Sequence, residues 1–191
     1  MVSGSSRFNI YLLLGVMLIA VTGCQSPEKN AARKREKQLA TVRVHVEVNQ
    51  PRAGQSLQVT VLRAAPILLN VEKNPFLNEL HVASAEVVET PEGGYRLAIH
   101  LNKKGQWLLE QYTAAHPNRR LAIRCQWGVA PDVQDRFVAA PMIQKPIKDG
   151  ILAFTPDATR DEAEQIAIGL NNIAGDTWLK EDTSTTTGGT K

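Results

Sequence analysis

The residue types that do chemistry are sparse in this 191-residue chain, and their spacing argues against most of it. Four histidines, His45, His81, His100 and His116, lie far apart. None stands three to five residues from another histidine or a cysteine, the separation that zinc sites use. No G-x-S-x-G, phosphate-binding loop or G-x-G-x-x-G occurs. Asp161, Glu162 and Glu164 cluster, but at what reads as the first turn of a helix, where carboxylates complement the helix dipole. A structural role outweighs a catalytic one there. Arg119, Arg120 and Arg124 make a short basic patch beside Trp127. The surrounding body is charge-balanced and offers no series of stacking aromatics, which counts against nucleic acid as a partner. The expectation is a protein that is not an enzyme and that holds no metal or cofactor.

Contact chemistry is what remains. Trp107 falls on the presumed inner face of a helix and reads as core. Trp127 sits beside Gly128 at the start of a polar stretch, Trp127 to Asp135, that reads as a long loop. Its two readings are a core residue and an exposed aromatic that meets apolar peptide, since aromatics are enriched at interfaces. Trp127, Arg124 and Phe137 are therefore the candidate polypeptide contacts. An extended peptide can also add to a free strand edge through the edge's unpaired N–H and C=O groups.

The N-terminal segment says more about location. Ile10 to Val21 is apolar, but a spanning helix needs about 20 such residues. Arg7 ahead of it and small residues behind it fit a secretory signal over residues 1–23. Val21-Thr22-Gly23-Cys24 resembles the lipobox of bacterial lipoproteins, in which the cysteine thiol is acylated and becomes the new N-terminus. That resemblance implies a lipid anchor on Cys24, and several acyl chains, at ~0.8 kcal/mol per buried CH2, hold a body on a bilayer. Gln25 after the cysteine, by the sorting rules of Gram-negative envelopes, points to the outer rather than the inner membrane. Cys125 is then left without a partner; in its apolar run it reads as a core residue, with a reactive thiol as the alternative. Of 22 basic residues, five fall between Glu28 and Lys37 against two acids. Beyond the signal and this block the chain carries 16 bases and 17 acids, so the basic excess belongs to a flexible tether, residues 24–40. The last stretch, residues 181–191, lacks core-forming residues and reads as a disordered tail.

Between tether and tail lies one domain, residues 41–180. Val42, Val44, Val46 and Val48 alternate with Arg43, His45 and Glu47, the pattern of a strand with one wet face. Ser56 to Leu62 and Ala65 to Val71 read as further strands. Ser84 to Glu89 and Tyr95 to Leu101 flank Pro91-Glu92-Gly93-Gly94, a hairpin signature. Asn102 caps a helix through Thr113, with Leu108, Tyr112 and Ala115 as its apolar stripe. Strands follow at Arg120 to Gln126, Arg136 to Ala140 and Gly150 to Phe154. Thr159 and Glu162 form a capping box, ahead of a stripe of Ala163, Ile166, Ala167, Leu170 and Ala174. Two helices on one face of a mainly antiparallel sheet make an α+β sandwich.

The order of these pieces from Ala83 to Ala174 resembles the first large periplasmic domain of SecD, a membrane partner of the bacterial protein-translocation channel. The matching words are AEVVETPEGGYRLAIHL, Gly105, Thr113, RRLAI, AAPMI, Ile147, Gly150-Ile151 and TRDEAEQIAIGL. The resemblance implies a ferredoxin-like α+β arrangement, here preceded by extra N-terminal strands. It also implies a periplasm-facing location and a polypeptide or export-machinery partner. Two segments depart from the pattern: the stretch Trp127 to Asp135, and Phe154 to Ala158 ahead of the last helix. Nothing after Val21 is long and apolar enough to span a membrane, so the energy-coupling membrane part of SecD has no counterpart in this sequence. The reading is a lipid-anchored envelope protein that binds polypeptide or export components. The alternative is a structural or assembly lipoprotein that kept the fold without the task.

Overall fold

The computed structural model describes residues 35–185, with side chains described to Gly175. Cys24, its expected lipid anchor and the signal segment lie outside the described residues. Among the described residues every strand pair is antiparallel, and two α-helices complete the α+β body. The strands divide among three sheets rather than forming one.

The main sheet orders β4 (Leu77–Asn78), β1 (Leu39–Val46), β7 (Leu121–Val129) and β8 (Asp132–Ala139). Its register sets Ala40 opposite Trp127, Val42 opposite Cys125, Val44 opposite Ile123 and Val46 opposite Leu121. All eight are buried and share one face, as period-two alternation requires. A hairpin of β5 (Val82–Glu89) and β6 (Tyr95–Leu101), with β9 (Ile151–Phe154) on β6, makes a second sheet. The expected turn is there: Thr90 N–H donates to the Gly94 carbonyl at 2.8 Å, with Gly93 at φ 83°.

Helix α2 (Arg160–Thr185) packs against β1 and β7 of the main sheet and β5 and β6 of the other, so the large core lies between them. Its capping box is formed: Thr159 N–H donates to Glu162 Oε2 at 2.7 Å, and Glu162 N–H donates to Thr159 Oγ1 at 3.2 Å. The stripe of Ala163, Ile166, Ala167, Leu170 and Ala174 is buried as the spacing requires. At Gly169 the helix lies so close to β1 that a Cβ would stand 2.5 Å from Ala40 N. The tether reading therefore stops too late. Gln38 and Ala40 are buried, and Asn172 Nδ2 donates to the Arg35 and Gln38 carbonyls at 2.8 Å each. The tail reading likewise starts too early, since α2 runs on to Thr185.

Asn171, one turn from Gly175 on the same helix, reaches strand β5. Its Nδ2 donates to the Ala85 carbonyl at 2.8 Å and its Oδ1 accepts from Ala85 N–H at 2.7 Å.

Helix α1 (Lys103–Ala115) starts at the expected cap, where Gly105 N–H donates to Asn102 Oδ1 at 2.9 Å. Its phase differs from the expected stripe. Gly105, Leu109 and Thr113 are the buried positions, with Leu108 and Tyr112 flanking them, while Trp107 points away at 60% exposure and is not core. Gly105 marks close packing: a Cβ there would lie 2.9 Å from the His81 carbonyl.

The remaining hairpin, β2 (Ser56–Val61) with β3 (Ile67–Glu72), folds over the outer face of the main sheet. Val59, Val61, Leu69 and Val71 meet Ala122 and Ala140 in a second, smaller core. Its base is stitched to β1, where Val48 N–H donates to the Asn70 carbonyl at 2.8 Å.

Candidate polypeptide-binding face

Strand parity decides where the candidate contact residues go. Arg124 and Trp127 are three apart on β7, so they leave the sheet on opposite sides. Arg124 and Phe137 are direct cross-strand partners on the outer face; Trp127 lies on the inner one.

Trp127 is 1% exposed, so it is a core residue and offers no surface to a partner. Arg136 seals it, with the guanidinium carbon 4.7 Å from the ring centre. The arginine is held in turn. Its Nη2 donates to both oxygens of Glu162, at 3.2 and 3.1 Å, and to the Asp157 carbonyl at 3.1 Å. Burial acts on Glu162 to raise its pKa, but donation from Arg136 and from Thr159 N–H outweighs it and holds the carboxyl below its ordinary range. Asp157 also binds Arg63 at the tip of the β2–β3 hairpin, whose backbone N–H donates to Oδ2 at 2.6 Å. The segment ahead of α2 that departs from the SecD pattern thus clips hairpin, β8 and helix together. Cys125, on the same inner face, is fully buried, and desolvation pushes its thiol up to about 12. That excludes the reactive-thiol alternative at neutral pH.

The outer face is built differently. Thr41, Gln126 and Asp135 form one cross-strand row; Asn78, Arg43, Arg124 and Phe137 form the next. Arg124 grips Asp135 through two parallel bonds, Nε to Oδ1 at 2.7 Å and Nη2 to Oδ2 at 2.6 Å. These bonds raise the Arg124 pKa. Thr41, Arg43, Arg124, Gln126 and Asp135 line a shallow hollow of about 50 Å³. His45 closes the far end. Its Nδ1 donates to the Glu72 carbonyl at 2.8 Å, and its ring lies 5.9 Å from that of Phe137. The expected wet face of β1 is thus wet at Arg43 but not at His45, which is 5% exposed under the hairpin. Desolvation lowers the His45 pKa; Arg124 and Arg43 push it the same way, against the bond to Glu72.

Beside this face runs a strand edge. The stretch expected as a long loop is a tight hairpin, in which β7 continues to Val129 and β8 begins at Asp132. Ala130 and Pro131 make the turn, with a cis peptide bond between them. The arrangement extends both strands. Among the described residues no strand pairs with the outer edge of β8. Near its C-terminal end Asp157 N–H donates to the Val138 carbonyl at 2.7 Å, whereas Asp132, Val133, Gln134 and Asp135 are exposed.

The SecDF P1 head subdomain profile matches residues 53–174. The chain belongs to that family. Among solved structures, the chain is similar in fold to one described as that of SecDF, a membrane component that enhances protein export. The TM-score is 0.52 at 18% identity, covering 80% of this chain and 71% of that one. A crystal structure of SecDF in a super-membrane-facing form gives 0.52 at 17% identity, covering 78% of this chain and 21% of that one. The match thus spans about a fifth of that longer protein. Comparison with curated protein sequences gives no significant match. No helix among the described residues is long and apolar enough to cross a membrane.

Of the P1 head's outer face, Arg124 and Phe137 were legible as candidates. Arg43, Gln126 and Asp135 were not. The parity of β1 did mark Arg43 as outward, but only the fold sets it beside Arg124.

Proposed function

We propose that this chain is a non-enzymatic, periplasm-facing envelope protein, held by lipid on Cys24, whose P1 head domain binds exported polypeptide or a component of the export machinery. The relative's description as a component that enhances protein export supports the export setting. The sequence pattern around Cys24 and Gln25 supports the anchor and its outer-membrane address. The observation that carries the binding role is the free edge of β8 lying beside an exposed polar face. An extended chain gains main-chain hydrogen bonds along such an edge without requiring a particular sequence, and neighbouring side chains then select among chains. Mutual affinity of this kind suits a protein that meets many partners briefly.

A photo-crosslinker at Val133, which is 44% exposed on the edge, tests it in cells. The expected products join the protein to exported polypeptides or export components, and they fade when secretion is blocked. Products confined to a stable envelope complex that survives the block would instead establish the structural, assembly role.

A further inference from the structure

The geometry points to a carboxylate-binding subsite between Arg43 and Arg124, so that the polypeptides this face selects are acidic ones; this rests on the polypeptide-binding reading above.

Arg43 and Arg124 are direct Cα partners across β1 and β7, and both side chains leave the outer face. Like charges placed opposite one another on a sheet repel and destabilise the pair. One acid lies within the hollow, and it is committed: both Asp135 oxygens accept from Arg124. The Arg43 side chain makes no hydrogen bond or ion pair among the described residues, its backbone being paired within the sheet. The local charge is therefore one cation in excess, with an unused guanidinium whose planar fork suits a carboxylate held by two bonds. The second sign of that excess lies beneath the hairpin, at His45, whose protonation both arginines oppose.

The hollow adds the right donors. Thr41 offers a hydroxyl and Gln126 an amide on the same face, in the row next to the arginines. Its volume, about 50 Å³, suits one planar anionic group rather than a whole small molecule. The ligand must therefore be an anion carried on something larger that lies outside the hollow. A chain docked on the edge of β8 runs past Asp135 and Phe137, so a Glu side chain on it can reach over β8 into the hollow, which Arg43 lines from β1 on the far side of β7. Phe137, partly buried against His45, offers an aromatic surface for a neighbouring apolar side chain. Arg43 also precedes the segment that matches the family profile, so half of this subsite comes from strand β1, outside it.

The test uses the full chain and two labelled extended peptides that differ only in a central Glu or Gln beside a Phe. Anisotropy titration should show the Glu peptide binding roughly tenfold more tightly, the usual worth of a hydrogen bond to a charged group. Arg43→Gln should erase that difference without lowering the thermal midpoint and should leave the weaker Gln-peptide binding in place; Arg96→Gln, on the other sheet, should leave the difference intact. NMR of the His45 ring gives a second readout. Occupancy by a carboxylate offsets both arginines, so the Glu peptide should raise the His45 pKa and the Gln peptide should not. Equal binding of the two peptides, unchanged in Arg43→Gln, would overturn the subsite and leave the polypeptide reading standing. Binding of neither peptide would overturn both. Arg43-dependent capture by phosphatidylglycerol vesicles, with the peptides indifferent to charge, would assign the pair to lipid phosphate and overturn it as well.

Discussion

The two faces of the main sheet are made by the same strands and carry opposite solutions. On the inner face Val42, Val44, Ile123, Cys125 and Trp127 are closed over by α2, and even the charged residue there, Arg136, is spent on Glu162, Asp157 and the tryptophan ring. On the outer face the hairpin β2–β3 covers one end and leaves the other with two arginines opposite each other and a single acid, Asp135, beyond Arg124 on β8. A cation paired through one guanidinium nitrogen with a carboxylate and a carbonyl, as Arg136 is, seals a core; one whose side chain has no partner marks a surface kept for something else. The same residue type thus does both jobs within two strands, and what separates them is parity and register.

Three substitutions sharpen that contrast, and their expected effects descend in size. Trp127→Ala removes the largest side chain of the inner face and leaves Arg136 over a cavity. A loss of about 3–5 kcal/mol in denaturant unfolding is expected. A loss of less than about 1 kcal/mol would mean that this end of the core is not closed in solution.

The pH dependence probes the boundary between the faces. The folded state lowers the His45 pKa from its ordinary 6.5, so the fold favours the neutral ring. The unfolded chain takes up the proton first as the pH falls below that ordinary value, and stability, complete above it, is lost on the way down to the lowered folded value. His81, also lowered by desolvation, adds a share of the same sign. Unfolding at pH 7.5 and pH 5 should show this loss, and His45→Gln should remove part of it. An unaltered slope in His45→Gln would place the ring in contact with water instead of under the hairpin.

Arg43→Gln has the smallest effect and the opposite sign. Relief of the repulsion with Arg124 should raise stability by roughly 0.2–1 kcal/mol. A clear loss would show that Arg43 has a structural partner, and would end the distinction between the faces.

What could be read from the sequence follows from how local each signal is. The caps at Asn102 and Thr159, the Gly93 turn and the stripe of α2 lie within a few residues, and all are present. Helix α1 misled because its apolar residues, Trp107, Leu108, Leu109 and Tyr112, wrap most of the cylinder. The residues that fix its phase, Gly105 and Thr113, carry no hydrophobic signal. The β7–β8 hairpin was hidden because Ala130-Pro131 lacks the Asn-Gly or Gly-Gly signature of a tight turn and polar residues surround it. His45 looked wet because the hairpin that buries it comes from a separate piece of chain. For the site, the basic patch beside Trp127 singled out Arg124, but register decided that Arg43 and Phe137 stand next to it and that Trp127 does not.

Asn171 adds a final consequence. By offering Ala85 one acceptor and one donor, its amide counterfeits a single peptide unit of a neighbouring strand. A foreign segment must evict that decoy before it can zip onto β5, whereas among the described residues no side-chain amide pairs with the backbone from Asp132 to Asp135, where Val133 N–H alone turns back to the Pro131 carbonyl. The molecule is thereby biased in how strangers can stick to it: one rim is booby-trapped against runaway stacking, and the other is left as the doorway.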